Sequence, residues 1–377
     1  MRLIHISDLH AGKTLGKASR NPDLEYALKQ VIDATKDSGA EVVLVAGDVF
    51  DKANPDNESK ELIFDFFLRL KDLASEVVVI SGNHDSYDFM KSISGLSKLA
   101  NVHIYDRPSR ERFLYTYKNL KVACLPYPSE RILTTADEDA KKSYAELVAR
   151  FINFLARQVE SAEHKILLAH LFVAGALYTR TEKEATLSQH YAVQPASLSE
   201  VFDYVALGHV HRYQRIENAP TYAYYTGSLY QLDFSEAGQP KAFNLIELGE
   251  NQPKITPIEL SLKNPLHQFE LEQGDVLDKI EELKKKEGYL KLSIRVSDRT
   301  GMPALIDKLR EELKDKLLKI EQLIPDSSIT PESQEDIKGL DPLELYRRYF
   351  KSTYDKDLPE EVEKRFIELL RSVEGHI

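Results

Sequence analysis

The chain has 377 residues, 42% of them hydrophobic, which favours two or three folded domains and excludes a disordered chain. Its single cysteine, Cys124, excludes a disulfide framework within the chain and argues against a cysteine-based zinc site. A formal net charge of −11 argues against a simple nucleic-acid coat protein. No window approaches the ~18 consecutive apolar residues of a membrane helix, and a cytoplasmic protein is expected.

The first part of the chain alternates short apolar runs with amphipathic segments. Residues 2–6, 41–46 and 76–80 are predicted as strands, and the segments between them as helices over 23–38 and 57–74. This βαβαβ order predicts a largely parallel sheet covered on both faces. Further elements are predicted in the following half: strands at 121–125, 165–169 and 203–207, a helix over 138–160, and hairpin strands within 221–248.

The pattern of predicted elements changes near residue 265. Residues 266–322 follow the order strand, helix, strand, helix, strand, which predicts a small α/β unit. Residues 325–339 are polar and contain Pro, Ser and Gly, as a linker does. Residues 340–377 contain two short helical patterns that are too small for a core of their own. They dock either on their own chain or on a partner, and the preceding linker favours the partner.

Polar side chains follow five of the predicted strands directly. Because ligands of open α/β sheets bind outside the carboxyl ends of the strands, these side chains should converge on one crevice. One such Asp is usually a turn or helix cap, and one such His is usually structural, but the ordered set is specific. The set comprises Asp8, His10, Asp48, Asn83, His84, His170, His209 and His211.

These residue types indicate a hydrolytic metal centre. Mixed nitrogen and oxygen donors without a thiolate disfavour a structural zinc site. Seven of these eight side chains, taken as ligands, exceed the needs of one catalytic ion, and they suit two ions that share a bridging carboxylate.

The ordered motifs carry a family resemblance. D-x-H at 8–10, G-D at 47–48, G-N-H-D at 82–85, H at 170 and G-H-x-H at 208–211 resemble the signature of calcineurin-like metallophosphoesterases. The strings "HISDLHAGK", "LVAGDVFDKANP", "LPYPSE", "FDYVALGHVHRYQ" and "YTGSLYQLDFSE" look like the DNA-repair nuclease branch of that family.

This resemblance implies an α/β fold in which a sandwich of β-sheets is flanked by helices. The nuclease domain would span residues 1–262 and a small α/β capping domain, which binds DNA, residues 263–324. The linker 325–339 would lead to a helix–loop–helix at 340–377 that binds an SMC-like ABC ATPase. The resemblance also implies a homodimer formed through helices of the nuclease domain.

The resemblance also assigns the ligands. One ion would be held by Asp8, His10, Asp48 and His211, and the other by Asp48, Asn83, His170 and His209. Two Mn²⁺ ions are expected, with Mg²⁺, Fe²⁺ or Zn²⁺ as alternatives. His84 would be catalytic and not a ligand, while Asp85 is expected to cap the next helix or to orient His84.

Two positions depart from related patterns. Protein phosphatases of this superfamily carry an Arg that binds phosphate after their second motif, and residues 47–53 lack it. Many relatives carry His where this chain has Asp51, so no role of that His is transferred.

The favoured function is a two-metal DNA nuclease, a 3'-5' exonuclease and single-strand or hairpin endonuclease of break repair, located in the cytoplasm with the nucleoid. The alternatives are an enzyme of small or cyclic phosphodiesters and an adaptor of the ATPase with a vestigial metal site. Basic residues near the motif loops are candidate DNA contacts: Lys13, Lys17, Arg20, Lys52, Arg107, Arg110, Arg180, Arg212 and Arg215.

Overall fold

The computed structural model describes residues 1–73, 75–130, 143–179, 191–324, 341–354 and 357–374. The chain divides into one compact unit at Met1–Leu323 and a second at Ile324–Ile377. The predicted linker 325–339, the start of the predicted helix 138–160 and the candidate Arg180 lie outside the described residues. In the part of the chain that is described, no helix is long and apolar enough to cross a membrane.

The first unit is built from short strands and six described helices. In chain order its elements are β1 (Arg2–Ile6), β2 (Thr14–Leu15), β3 (Ala18–Ser19), α1 (Asn21–Ser38), β4 (Val42–Val45), α2 (Asn57–Asp72), β5 (Glu76–Ile80), α3 (Tyr87–Ser97), β6 (Val102–Tyr105), β7 (Leu114–Tyr117), β8 (Leu120–Leu125), α4 (Tyr144–Val159), β9 (His164–His170), β10 (Tyr204–Gly208), β11 (Gln214–Arg215), β12 (Tyr222–Tyr225), β13 (Lys241–Glu247), β14 (Lys254–Leu260), β15 (Leu266–Glu272), α5 (Val276–Lys285), β16 (Tyr289–Arg295), α6 (Met302–Leu313) and β17 (Leu317–Leu323).

Two six-stranded sheets form the larger part of this unit. One has the order β14-β13-β1-β4-β5-β6 and the other β11-β12-β10-β9-β8-β7. Strands β1, β4, β5 and β6 are parallel, as are β8, β9, β10 and β12, while the remaining pairs are antiparallel. Their runs of Val, Ile and Leu fit strands that are buried on both faces.

Successive side chains of each strand point to opposite faces of its sheet, which divides the core into layers. Leu3 and Leu44 of the first sheet belong to the same buried cluster as Ile166 and Leu168 of the second, so the sheets pack face to face. The opposite faces of the two sheets pack against helices α1 to α3 and against α4, respectively. The sandwich of sheets flanked by helices is therefore confirmed, and each sheet has helices on only one face.

Local signals mark several helix boundaries. The Ser86 side chain accepts a hydrogen bond from the Phe89 N–H and caps α3, while Ser143 and Glu146 form a capping box at α4. Helix α1 ends at Gly39, whose φ of 62° is the left-handed conformation that glycine adopts without strain.

The predicted hairpin within 221–248 is wrong. Strand β12 pairs in parallel with β10 in one sheet, and β13 pairs antiparallel with β1 in the other. The segment between them crosses from sheet to sheet and carries a short 3₁₀ turn at Phe234–Glu236. Propensity identifies the two strands correctly, but it carries no information about their partners.

The predicted α/β order of residues 266–322 is confirmed. Strands β15, β16 and β17 form a three-stranded parallel sheet, and α5 and α6 bury their apolar faces against it. Leu290, Leu292 and Leu309 are fully buried at the centre of this small core.

The second unit contains two described helices, α7 (Pro342–Tyr354) and α8 (Glu360–Glu374). The rings of Tyr346 and Phe366 stack with their centroids 4.4 Å apart, and Arg347 forms an ion pair with Glu363. These contacts join the two helices into the predicted helical pair. Tyr349 and Leu369 are more than half exposed.

Candidate metal centre

The loops that follow five strands meet at one edge of the sandwich. Asp8 and His10 follow β1, Asp48 follows β4, and Asn83 follows β5. His170 ends β9, and His209 and His211 follow β10 in the facing sheet. The two sheets thus contribute from opposite sides, as expected for a crevice at the carboxyl ends of parallel strands.

The first group of ligand candidates is Asp8, His10, Asp48 and His211. One donor atom from each lies within 4.8 Å of the others, and all four residues are buried. The Nε2 atoms of His10 and His211 are 3.2 Å apart, and His10 Nε2 lies 3.7 Å from Asp48 Oδ2. We call this group half-site A.

The second group shares Asp48 with the first. Asn83 Oδ1 lies 3.0 Å from His170 Nε2 and 2.8 Å from His209 Nδ1. His170 Nε2 is also 3.5 Å from Asp48 Oδ2. We call the group of Asp48, Asn83, His170 and His209 half-site B. The structure therefore brings all seven predicted ligands together, with Asp48 between the two halves.

Four of these residues have a strained backbone. Asp8, His10 and Asp48 have φ values of 52°, 45° and 48°, and His209 has 102°. Positive φ is uncommon for residues other than glycine, and such strain concentrates at functional sites. Half of the non-glycine residues with positive φ in the described chain are ligand candidates, which indicates that the loops are shaped for the cluster and not for local stability.

Two motif glycines permit the close approach of the loops. A Cβ atom on Gly82 would lie 2.1 Å from Asp48 Oδ1, and one on Gly208 would lie 1.9 Å from the Ala46 carbonyl oxygen. Any larger residue would push apart the strands that carry the candidates, because both contacts involve atoms that are held in place.

The buried charges of the site perturb one another. Burial raises the pKa of Asp48, but the imidazoles of His170, His84 and His10 outweigh burial and hold that pKa well below its usual range. Burial lowers the pKa of His170, whereas the charges of Asp48 and Asp8 raise it more, to about 9. The Asp48 carboxylate is therefore ionised, and its negative charge favours a positive charge next to it.

The donors fit divalent ions. Carboxylate oxygen, amide oxygen and imidazole nitrogen suit Mn²⁺, Fe²⁺, Zn²⁺ or Mg²⁺. Half-site A has donors from two carboxylates and two imidazoles, all of them buried. The cluster therefore supports the use of a divalent metal, and the donor types alone do not select one ion.

His84 lies beside the cluster and is held from two sides. Its backbone N–H donates to Asp48 Oδ1 at 2.8 Å, and its ring Nδ1 lies 2.8 Å from the Asp51 carbonyl oxygen, to which it donates. The ring meets the His10 ring edge to face, with centroids 4.8 Å apart. Because the carbonyl oxygen fixes the proton on Nδ1, Nε2 is the ring atom that can exchange a proton with a substrate.

Asp85 does not cap α3, since Ser86 does. Its carboxylate instead accepts hydrogen bonds from the backbone N–H groups of Val49, Phe50 and Gly82 at 3.2, 3.0 and 2.8 Å. Burial, and then the charge of Asp48, raise the pKa of Asp85 to about 6. The residue ties the Asp48 loop to the Asn83 loop, which the capping prediction missed because the bonded groups are distant in sequence.

Two further carboxylates stand behind histidine candidates. His10 Nδ1 faces Asp51 Oδ1 at 3.3 Å, and His211 Nδ1 faces Glu236 Oε1 at 3.5 Å. Glu236 and its ion-pair partner Lys241 were not predicted as site residues. Glu236 does fall in the string "YTGSLYQLDFSE", but no local pattern shows that this turn reaches His211.

The predicted DNA contacts differ from one another in their exposure and in their ion-pair partners. Arg20 is wrong as a surface contact: its side chain is 1% exposed, and it pairs with Asp23 at 3.0 Å. Lys13 pairs with Asp51 near the cluster, and Arg107 pairs with Asp88 and Asp106. The remaining described candidates are exposed on the surface: Lys17, Lys52, Arg110, Arg212 and Arg215.

Buried carboxylate, amide and imidazole donors at the carboxyl ends of the parallel strands, without a thiolate, suit a metal-dependent hydrolase. The family model described as calcineurin-like phosphoesterase matches residues 1–213. The chain belongs to this family.

Two curated relatives extend the similarity beyond that domain. The SbcD component of the nuclease SbcCD from Bacillus subtilis (strain 168) is 28% identical over 99% of this chain and 99% of its own length. The SbcD component from Staphylococcus saprophyticus is 28% identical over 81% of each chain. Among solved structures, a dimetal phosphatase from Danio rerio matches with a TM-score of 0.44 and 12% identity, over 68% of this chain and 95% of that one.

Proposed function

We propose that this chain is a metal-dependent DNA nuclease of the SbcD kind, acting in double-strand-break repair. The observation that carries the proposal is the buried cluster with Asp48 at its centre, in a chain that is similar over its full length to an SbcD nuclease component. The proposal includes two Mn²⁺ ions and two activities, a 3'-5' exonuclease and an endonuclease on single strands or hairpins.

The roles of the residues follow from their contacts. Half-sites A and B would each hold one divalent ion, with Asp48 shared between them. When bound, the ions supply Lewis-acid activation of water and neutralise charge on the phosphodiester. His84, held by Asp48 and Asp51, would donate a hydrogen bond or a proton to the reacting phosphate.

A large groove supports a polymeric substrate. It encloses about 1470 Å³, more than the roughly 300–1,000 Å³ of typical small-ligand pockets. The nuclease domain lines it with Tyr178 and Thr179, and the small α/β unit lines it with Lys286, Lys291 and Lys319. The size of the groove favours DNA over a small phosphodiester. Lys286 can approach a backbone phosphate, whereas Lys291 and Lys319 are each ion-paired at 2.8 Å with Glu321, which lines the same groove.

The assembly is part of the same proposal. The helical pair at 340–377 would bind an SbcC-type SMC-like ABC ATPase through an apolar surface that includes Tyr349, Val362 and Leu369. A homodimer would form through helices of the nuclease domain, where Leu68 and Leu96 are 53% and 73% exposed. Exposed apolar side chains on neighbouring elements are typical of protein interfaces.

The experiment that tests the function measures cleavage of end-labelled linear DNA and of a DNA hairpin with Mn²⁺, Mg²⁺, Fe²⁺ or Zn²⁺. A generic small phosphodiester is assayed in parallel, with and without the ATPase and residues 340–377. We expect metal-dependent shortening of DNA that depends on His84. Hydrolysis of the small compound without DNA cleavage under any condition would instead support the small-phosphodiester alternative.

A further inference from the structure

A buried ion pair lies directly behind His211. Glu236 and Lys241 are 0% and 2% exposed, and Glu236 Oε2 lies 2.6 Å from Lys241 Nζ. The other carboxylate oxygen, Oε1, lies 3.5 Å from His211 Nδ1. The carboxylate therefore contacts the ring nitrogen that faces away from His10, while His211 Nε2 points to the cluster.

The rest of the environment holds this carboxylate in place. Glu236 Oε2 also accepts hydrogen bonds from the Leu232 N–H and the Ser228 hydroxyl. Lys241 Nζ donates to the His211 carbonyl oxygen at 3.1 Å, so the pair also contacts the His211 backbone. Each buried charge has partners, which is the condition under which such a pair is retained in a protein interior.

We propose that Glu236 is a positioning residue for half-site A. Glu236 keeps the His211 proton on Nδ1, so that Nε2 presents its lone pair to the metal, and it makes the imidazole a stronger donor. A carboxylate behind a metal-bound imidazole has both effects in other metal sites. The inference rests on the metal centre of the proposed function and assigns Glu236 no contact with the substrate.

A purely structural explanation competes with this role. The pair joins β13 to the 208–211 loop and to the 3₁₀ turn, so its loss would reduce stability even without an effect on the metal. The two explanations differ in which member of the pair affects the metal. Only Glu236 touches the imidazole ring, whereas both members hold the loops together.

The test is a Mn²⁺ titration of the full chain, with free Mn²⁺ followed by electron paramagnetic resonance. Glu236→Gln removes the charge but keeps the shape, while Lys241→Gln is the matched control that breaks the same ion pair and leaves the carboxylate. We expect Glu236→Gln to lower the affinity for one of the two Mn²⁺ ions by about 10- to 100-fold. Lys241→Gln should keep both affinities within about threefold, at a comparable loss of thermal stability.

A second background identifies the affected ion. His170→Ala removes a donor of half-site B only, so the Mn²⁺ that remains bound is the one in half-site A. Adding Glu236→Gln to this variant should lower the affinity for that ion by the same factor. Unchanged affinity in Glu236→Gln, or equal losses in Glu236→Gln and Lys241→Gln, would overturn the positioning role. If the unaltered chain binds no Mn²⁺, the two-Mn²⁺ centre of the proposed function fails, so the two failures are distinguishable.

Discussion

The two halves of the metal centre differ in what stands behind their histidines. In half-site A, His10 and His211 face the carboxylates of Asp51 and Glu236. In half-site B, His170 Nδ1 donates to the neutral Ala46 carbonyl at 2.7 Å. Negative charge behind an imidazole strengthens it as a ligand, whereas a neutral carbonyl does so less.

The direct donors differ in the same sense. Half-site A adds the Asp8 carboxylate to the shared Asp48, where half-site B has the neutral amide of Asn83. Within the described chain neither His209 Nε2 nor His10 Nδ1 has a hydrogen-bond partner, but His10 Nδ1 lies 3.3 Å from the Asp51 carboxylate. We therefore expect half-site A to bind its ion more tightly. Half-site B should bind its ion more weakly and leave that ion more electrophilic. A more electrophilic ion is better suited to catalysis.

The largest effect should come from removing what the halves share. Asp48→Ala takes a donor from both, and we expect binding of both ions to be lost. Turnover should fall by at least about 10⁴-fold, because losing one member of a group of residues that act as a unit removes the contribution of the whole group. Metal analysis after gel filtration and the DNA cleavage assay measure the two losses.

Asp65→Ala is the control for this change, since Asp65 is exposed on α2 and pairs only at the surface with Arg69. It should leave metal content and turnover unchanged. Retention of one tightly held ion in Asp48→Ala would show that Asp48 belongs to one half only.

The second effect separates chemistry from metal binding. His84→Gln should lower kcat by about 10²–10⁴-fold, the range for a lost general acid or base, and leave both ions bound. The same change at His103, which pairs with Glu76 away from the crevice, should have no effect on cleavage. Loss of metal together with activity would mean that His84 supports the cluster instead of acting on the substrate.

The sequence predicted the site more completely than its surroundings. Asp8, His10 and the other candidates follow strands in a fixed order, so the edge on which they meet can be inferred from local patterns alone. Glu236 reaches His211 only because the chain crosses from one sheet to the other before β13, and no periodicity encodes that crossing. The hairpin prediction over 221–248 failed for the same reason.

Arg20 shows a different limit. A basic residue in a loop is normally solvated, yet this one is enclosed by Asp23 and by the Asn264 carbonyl where the small α/β unit begins. Its guanidinium also lies over the rings of Tyr230 and Tyr289. Burial of a long polar side chain depends on partners that are far away in sequence, which composition and spacing do not reveal.

The third effect tests the weaker half directly. Asn83→Asp adds a negative charge to half-site B, so we expect its Mn²⁺ affinity to rise roughly tenfold, as ligand charge tunes other cation sites. Turnover should fall by a similar factor, because the added charge makes the ion less electrophilic. Isothermal titration with Mn²⁺ and steady-state cleavage give the two values.

Asn57→Asp makes the same charge change at the exposed start of α2 and should alter neither quantity. A Mn²⁺ affinity that does not rise in Asn83→Asp would argue that the amide is not a donor. Higher affinity with higher turnover would remove the proposed link between weak binding and electrophilicity.

The smallest effect concerns the residue that ties the halves together. Asp85 accepts three backbone N–H groups, from Val49, Phe50 and Gly82, and so joins the loop of the shared Asp48 to the loop of half-site B. Asp85→Asn leaves one oxygen for these donors, and the buried N–H that loses its partner should cost about 1–3 kcal/mol of unfolding free energy. Urea denaturation of the metal-free protein measures this cost.

The same change should act on both halves equally, since it loosens Asp48 and Asn83 together. Ser86→Ala is the neighbouring control: it removes the α3 cap, costs about 1 kcal/mol and should leave Mn²⁺ binding intact. If Asp85→Asn weakened only one ion, the loops would move independently. The difference between the halves would then depend on loop position as well as on the charge behind the histidines.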